Sequence, residues 1–299
     1  LEELLRKHTN GESIDYLYPQ VPKQLQGYVE IFMDMEHRAC YRLIEPLLYK
    51  SKYYKPELQA VSFGSYSKLD DRPFVLSTPR LPDDNHVQLD LDFNHSLLER
   101  IFQARETPIP EDQFEHMLGC LSTKGGLNFK ELFTDQPSRF QHEPLESGVK
   151  VTYTGHAGFL IETPDVSIMI DPVITSRGDK FARDVISFTQ LPSRIDYVCL
   201  THTHQDHVFL ETLLQLRHKI GKLLVPKNNG GSLADPSLRL MLKQFGFDVI
   251  EFDDLEKLNV PDGKITSVPF LGEHGDLNIR SKTAWHLNLL GRNFFFGAD

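Results

Sequence analysis

Three histidines and an aspartate fall within six residues, in the segment His202-Thr203-His204-Gln205-Asp206-His207. Imidazole nitrogens and carboxylate oxygens are common ligands of first-row transition metals. In extended backbone alternate side chains point the same way, so His202 and His204 can bind one metal ion. Asp206 and His207 follow the bend and can bind a second ion nearby. A solvated polar loop is the alternative, and it is disfavoured because several fixed positions directly follow an apolar run.

A second candidate ligand region lies at Glu273 and His274, after a predicted strand over residues 265–270. Adjacent residues in extended backbone point to opposite faces, so we expect only one of the two to reach the metal. With His274, the first site has three imidazoles, a set that suits zinc and hydrolysis by a polarised water. With Glu273, it has two imidazoles and a carboxylate, the pattern of non-haem Fe(II) oxygenases. The residues themselves leave both alternatives open.

Strands and helices alternate around these residues, which is typical of α/β layering. Apolar runs over residues 150–153 and 158–161 predict two paired strands, with Gly155 and Gly158 in the turn region. Residues 208–220, directly after the histidine motif, predict an amphipathic helix. Further predicted strands lie at residues 166–170, 223–225, 249–250, 265–270 and 294–296.

The His-x-His-x-Asp-His motif resembles the signature of the metallo-β-lactamase superfamily. This resemblance implies an αββα sandwich with two metal ions at the edge of its sheets. It also implies that Asp171, at the end of a predicted strand, hydrogen-bonds behind the metal loop and orients a ligand. Asp299, after the last apolar run, takes the place of the carboxylate that bridges the two metals. On the residues alone, Asp171 is equally a turn residue before Pro172. For Asp299 the alternative is an ordinary strand-end aspartate, which the preceding set of candidate ligands disfavours.

About half of the sequence precedes the metal-binding region. Residues 1–147 are too many for a connecting loop, so they predict a mixed α+β N-terminal domain, followed by a metal domain over residues 148–299. We expect the metal domain to be incomplete at its C-terminus, since the superfamily places one more histidine ligand beyond Asp299. Within the first region we expect helices at residues 25–53, 95–105 and 111–121, strand-and-turn structure at 61–91, and a linker near Pro137 and Pro144.

A closer resemblance is to the CmlA-type di-iron β-hydroxylases of nonribosomal peptide pathways. It is carried by the long N-terminal region, by Gly272-Glu273-His274-Gly275-Asp276, and by the residues just after that segment. The spacing from Glu273 to Asp299 is also similar to the glutamate-to-aspartate spacing of that family. The ligands that this resemblance implies are His202, His204 and Glu273 for one iron, Asp206, His207 and a later histidine for the other, and Asp299 as the bridge.

The same resemblance implies a function. The substrate is an aminoacyl group held as a thioester on a peptidyl carrier protein, and its β-carbon is hydroxylated with O2, two iron ions and an external electron donor. Breaking an unactivated C–H bond requires redox chemistry that carboxylates and zinc do not supply. The N-terminal domain is expected to form a homodimer and to dock the carrier protein. His274 then supports the ligands from outside, and Arg280 and Lys282 line the substrate entrance unless they are ordinary surface charges.

Two other functions compete with this interpretation. A zinc-dependent hydrolase of a phosphoester, lactone or thioester is expected if His274 is the ligand. A binding module without catalysis is disfavoured, because every ligand position that the sequence is long enough to contain is filled. His156, in a glycine-flanked turn, is interpreted as a fold residue, and Trp285 as a core residue.

Composition narrows the class of partner. The formal net charge of −10 opposes nonspecific binding to nucleic acid, which depends on lysine and arginine. No stretch approaches the about 20 apolar residues of a membrane span, and no signal peptide is visible. The three cysteines are widely spaced and odd in number, which favours a reducing, cytoplasmic location.

Overall fold

The computed structural model describes residues 1–9, 11–64, 81–138, 141–174, 186–228, 230–270, 272 and 274–298. Two of the predicted metal ligands, Glu273 and Asp299, lie outside these residues. Across the described ranges, no helix has both the length and the apolar character needed to cross a bilayer.

The predicted helix over residues 25–53 is wrong, because this region forms a β-hairpin. Strand β1 (Val29–Met33) pairs antiparallel with β2 (Ala39–Leu43). The turn between them is closed by Asp34, whose Oδ1 accepts hydrogen bonds from two backbone N–H groups within it. Met35, which helical spacing assigns to an apolar face, lies at the tip and is 98% exposed. Local capping by one aspartate therefore overrides the apparent helical periodicity.

Among its described residues, the rest of the N-terminal region contains a small sheet and the four α-helices α1 to α4. Its sheet has the order β3-β4-β5, and helices α3 and α4 confirm the predicted helices at residues 95–105 and 111–121. Both helices contribute buried side chains to one core with this sheet, including Ile101 and Met117. The bounds are α1 (Glu2–Leu5), α2 (Glu45–Leu48), β3 (Val61–Gly64), β4 (His86–Leu89), α3 (Ser96–Gln103), α4 (Glu111–Gly119) and β5 (Thr123–Lys124).

A six-stranded sheet forms the centre of the metal domain. Its order is β11-β10-β9-β8-β7-β6, in which β6, β7 and β8 pair antiparallel and the strands from β8 to β11 pair parallel. The parallel strands are buried, which explains their nearly continuous apolar sequences. The bounds are β6 (Lys150–Gly155), β7 (Gly158–Glu162), β8 (Ser167–Ile170), β9 (Ile195–Cys199), β10 (Ile220–Pro226) and β11 (Val249–Phe252).

A four-stranded antiparallel sheet packs against one face of this sheet. The two sheets share a core that includes Ile168, Leu224, Ile265 and Trp285, so Trp285 is a core residue as predicted. Its indole Nε1 donates a hydrogen bond to the backbone carbonyl of Leu200, 3.1 Å away. The bounds are β12 (Lys257–Val260), β13 (Gly263–Pro269), β14 (Thr283–Leu289) and β15 (Arg292–Phe296).

Two helices, α5 (Leu210–Leu216) and α6 (Leu238–Gln244), supply the outer layer of the six-stranded sheet. Their buried leucines share a core with the outward faces of β9 and β10. The helical layer and the two packed sheets have the layering of the metallo-β-lactamase fold, which confirms the predicted fold class. Helix α5 is shorter than the predicted helix over residues 208–220, because the chain turns into β10 at Ile220.

The N-terminal region packs directly on the metal domain. The buried guanidinium of Arg217, just after α5, donates from Nε to Glu99 on α3 at 2.8 Å. Beside it, the buried ammonium of Lys219 forms an ion pair with Glu106. The hairpin also reaches across, since the N–H of Leu43 donates to the carbonyl of Gly231 at 2.7 Å. A side chain at Gly231 would collide with Leu43, which explains the glycine there. The boundary between residues 147 and 148 stays a prediction.

Candidate metal centre

The candidate centre lies at the edge of the sheet where β8 and β9 end. Ile170 and Cys199 are register partners at the ends of these parallel strands, so the residues that follow them meet at one edge. Asp171 follows β8, and the loop with the histidine motif follows β9. The carboxyl ends of parallel strands are the usual place for sites in α/β folds.

A first cluster is formed by His202, His204 and His274. One ligand atom of each lies within 4.8 Å of the others, and the Nε2 atoms of His202 and His274 are 3.2 Å apart. His202 is fully buried, and burial lowers its pKa to about 3, with the neighbouring imidazoles contributing. The ring is therefore neutral near pH 7 and keeps a nitrogen lone pair for a metal.

A second cluster is formed by His156, Asp206 and His207. Nε2 of His156 lies 3.0 Å from Oδ2 of Asp206, and one ligand atom of each residue lies within 4.8 Å of the others. The two clusters adjoin, because the ring centroids of His202 and His207 are 4.1 Å apart. The arrangement therefore offers two neighbouring sets of nitrogen and oxygen donors.

The position of His156 differs from the sequence interpretation, which assigned it a fold role. His156 lies in the turn between β6 and β7 with a φ of 50°. Since β7 runs antiparallel to β8, this turn lies at the edge where β8 ends. The order of the strands in the sheet places His156 beside the histidine motif. This order cannot be read from the pattern of residues along the sequence.

Asp171 lies behind the metal loop, where the sequence analysis expected it. Its Oδ1 accepts a hydrogen bond from the N–H of Thr201 at 2.8 Å, and its Oδ2 accepts one from the Thr201 hydroxyl at 2.6 Å. Oδ2 also lies 2.8 Å from Nδ1 of His207. Burial raises the pKa of Asp171, against the opposing effect of hydrogen bonds from His207 and Thr201. This contact directs the other nitrogen of His207 towards the second cluster.

Two further aspartates support the first cluster and were missed by the sequence analysis. Oδ2 of Asp276 lies 2.8 Å from Nε2 of His204. Asp235 is buried, and its Oδ1 accepts from the Thr203 hydroxyl at 3.3 Å, while its Oδ2 accepts from the N–H of Asn278 at 3.0 Å. Asp235 therefore joins the loop of the histidine motif to the loop that contains His274. Nothing in the local sequence marks this role.

The two cations predicted at the substrate entrance both have partners. Arg280 donates from Nε to Asp253 at 3.1 Å. Lys282 is buried, and its ammonium lies 3.4 Å from the carbonyl of Gly272 and 3.5 Å from that of His274. These contacts give Lys282 a role in holding the loop with His274, and the entrance role of both residues stays a prediction. The predicted ligands Glu273 and Asp299 lie outside the described residues.

The fold and the two clusters define a metal-binding domain of the β-lactamase superfamily, and residues 150–295 match the family model of the beta-lactamase superfamily domain. Residues 1–137 match the model of the diiron non-heme beta-hydroxylase N-terminal domain. The chain belongs to the CmlA-type family of diiron non-heme β-hydroxylases, in which these two domains follow one another.

Individual relatives agree with this assignment. The chain is 38% identical over 305 residues to 4-amino-L-phenylalanyl-[CmlP-peptidyl-carrier-protein] 3-hydroxylase of Streptomyces venezuelae, covering 100% of this chain and 57% of the relative. The crystal structure of CmlA, a diiron beta-hydroxylase from the same organism, superposes with a TM-score of 0.81 and 35% identity, over 99% of this chain and 55% of that one. The chain thus spans a little over half the length of these relatives. A metal-dependent hydrolase of Flavobacterium johnsoniae is 28% identical over 46% of this chain and 63% of its own length.

Proposed function

We propose that this chain contains the metal-binding part of an O2-dependent di-iron monooxygenase. Its substrate would be an aminoacyl group on the peptidyl carrier protein of a nonribosomal peptide synthetase, hydroxylated at the β-carbon. The observation that carries the proposal is the pair of adjoining donor clusters in a chain that aligns over its whole length with a carrier-protein-dependent 3-hydroxylase.

The donor sets fit two iron ions. Each cluster offers three nitrogen or oxygen ligand atoms, and mixed imidazole and carboxylate donors suit iron. We propose that His202, His204 and Glu273 hold the first ion, and that Asp206 and His207 hold the second. Asp299 would bridge them, and His274 and His156 would be supporting residues or additional ligands.

With O2 and an external electron donor, two bound iron ions supply the oxidising power that protein side chains lack. The chain's own residues prepare the site. Asp171 orients the His207 ring, and the low pKa of His202 keeps that ring neutral for ligation. Asp235 holds the two ligand loops at a fixed separation, which limits the geometry that a bound ion can adopt.

Metal analysis together with mass spectrometry tests this proposal. The purified protein should contain iron, and an aminoacyl-loaded carrier protein should gain the mass of one oxygen when O2 and a reductant are present. Stoichiometric zinc with no iron, in a protein that retains turnover, would contradict the oxygenase.

A zinc-dependent hydrolase of a phosphoester, lactone or thioester is the second candidate. The specific observation in its favour is His274, which completes a cluster of three imidazoles with His202 and His204. Three imidazoles with an open position are typical of catalytic zinc. The hydrolase relative aligns with 46% of this chain, whereas residues 1–137 match the N-terminal domain of diiron β-hydroxylases, which favours the oxygenase over this alternative.

Three further parts of the proposal come from the sequence. We propose a homodimer formed through the N-terminal domain, docking of the carrier protein on the same domain, and a cytoplasmic location in an antibiotic pathway. The free thiols of Cys40, Cys120 and Cys199 are consistent with a reducing compartment. Sedimentation of the protein with and without its carrier protein tests the homodimer and the docking of the carrier protein.

A further inference from the structure

A cavity of about 280 Å³ lies between the N-terminal region and the metal domain. Residues from the end of the hairpin and from α2 line one side, and Ser232, Leu233 and Pro236 line the other. None of its lining residues belongs to either metal cluster. Its size approaches the lower end of cavities that hold small organic molecules.

The charged group among the lining residues of this cavity is the carboxylate of Glu45, a residue that is only 8% exposed. Its Oε2 accepts a hydrogen bond from the N–H of Ser237 at 2.9 Å. Within the described ranges, neither a hydrogen bond nor an ion pair reaches Oε1. Burial raises the pKa of Glu45, and the nearby Asp235 raises it further, against the opposing effect of the Ser237 hydrogen bond. A buried carboxylate in this condition gains from a cation.

Three tyrosines, Tyr49, Tyr53 and Tyr54, also line the cavity. The rings of Tyr49 and Tyr54 pack edge to face, with centroids 5.3 Å apart. Burial raises the pKa of Tyr49 to about 12, with the charge of Glu45 contributing, so its hydroxyl stays protonated. Neutral aromatic rings attract organic cations, with Tyr among the better partners.

We propose that this cavity binds a small organic ammonium ion with an apolar body, and that Glu45 is its counterion. The single carboxylate disfavours an anion. It also disfavours a hard metal cation such as Ca²⁺ or Mg²⁺, because these ions need about six or more oxygen ligands. Apolar side chains such as Leu43 and Leu233 suit the hydrocarbon part of the ligand. The proposal concerns residues away from the metal ligands, so it does not depend on the reaction that the centre performs.

Calorimetric titration of the full chain with 2-phenylethylamine and with its neutral analogue 2-phenylethanol tests the proposal. The amine should bind and the alcohol should bind more weakly. Glu45→Gln should reduce the affinity for the amine about tenfold or more and leave the alcohol unchanged, because a buried charge pair is lost. The amide oxygen of Gln can still accept from Ser237, which preserves the local fold. Glu57→Gln is the matched control, since Glu57 is exposed and does not line the cavity.

A second variant keeps the test decisive if Glu45→Gln does not fold. Tyr53→Leu, at a half-exposed residue, should weaken the amine more than the alcohol, because the cation loses an aromatic partner. Equal affinities for amine and alcohol, or an amine affinity that both variants leave at the level of the unmodified protein, would overturn the proposal.

Discussion

Oδ2 of Asp171 lies 2.8 Å from Nδ1 of His207, and both side chains are almost completely buried. The contact fixes which nitrogen of the imidazole faces the second cluster. Partners of this kind orient ligands and raise their basicity, and their loss typically costs about 10- to 100-fold in metal affinity.

Asp171→Asn should therefore weaken the second metal site by about 10- to 100-fold while the protein still folds, because the shape is kept and the charge is lost. Iron content after dialysis against a competing chelator measures the effect. Asp165→Asn, at an exposed turn residue, is the control. Unchanged iron retention in Asp171→Asn would show that His207 does not need this partner.

Asp235 is expected to be important for stability as well as for the site. Asp235→Ala leaves the N–H of Asn278 and the hydroxyl of Thr203 without the carboxylate that accepts from them, so the free energy of unfolding should fall by about 2 kcal/mol or more. Denaturant unfolding measures this, with Asp248→Ala at the exposed surface as control. A loss no larger than that of the control would rule out the bracing role.

The choice between Glu273 and His274 separates the two candidate functions. If the protein is the oxygenase, Glu273→Ala should lose iron and hydroxylation, and His274→Ala should have a milder effect. The physical reason is that a carboxylate beside two imidazoles forms the harder, more anionic site that suits iron. Metal content and product mass are measured for both variants, and the reverse ranking would support the hydrolase.

The low pKa of His202 predicts a pH dependence for the metal-free protein. Its pKa is about 3 when folded, mainly because of burial, compared with an ordinary value of 6.5. Between these values the unfolded chain binds a proton that the folded chain does not, so stability rises with pH. The contribution of His202 to the free energy of unfolding is fully present above its ordinary pKa of 6.5. It is lost as the pH falls from there towards 3, and the loss is at most about 1.4 kcal/mol per pH unit.

Denaturant unfolding of metal-free protein at about pH 7 and about pH 5 measures this slope. His202→Asn should flatten it, whereas His116→Asn, at an exposed position on α4, should not. Equal slopes for His202→Asn and the unmodified protein would place the titration elsewhere.

Elements of the fold can be predicted from the sequence where local pattern and local structure coincide. The apolar runs that became β8, β9 and β10 are buried strands of a parallel sheet, and the histidine motif follows one of them directly. The prediction of a helix in place of the hairpin was wrong, because one aspartate closes a turn within an apparently helical pattern. The roles of Asp235 and His156 could not be predicted from local sequence, because they depend on which distant segments the fold brings together.

The segment from Gly231 to Ser237 contacts both the N-terminal region and the loop of the histidine motif. Leu43 and Glu45 of the N-terminal region bond to its two ends, and Asp235 between them holds Thr203 of the metal loop. Removal of the N-terminal region at residue 148 would break the bonds from Leu43 and Glu45. It would also leave the buried cations Arg217 and Lys219 without the carboxylates of Glu99 and Glu106. The metal domain therefore depends on contacts from its own N-terminal region. A chimera that exchanges the metal domain between relatives has to include the matching N-terminal region as well.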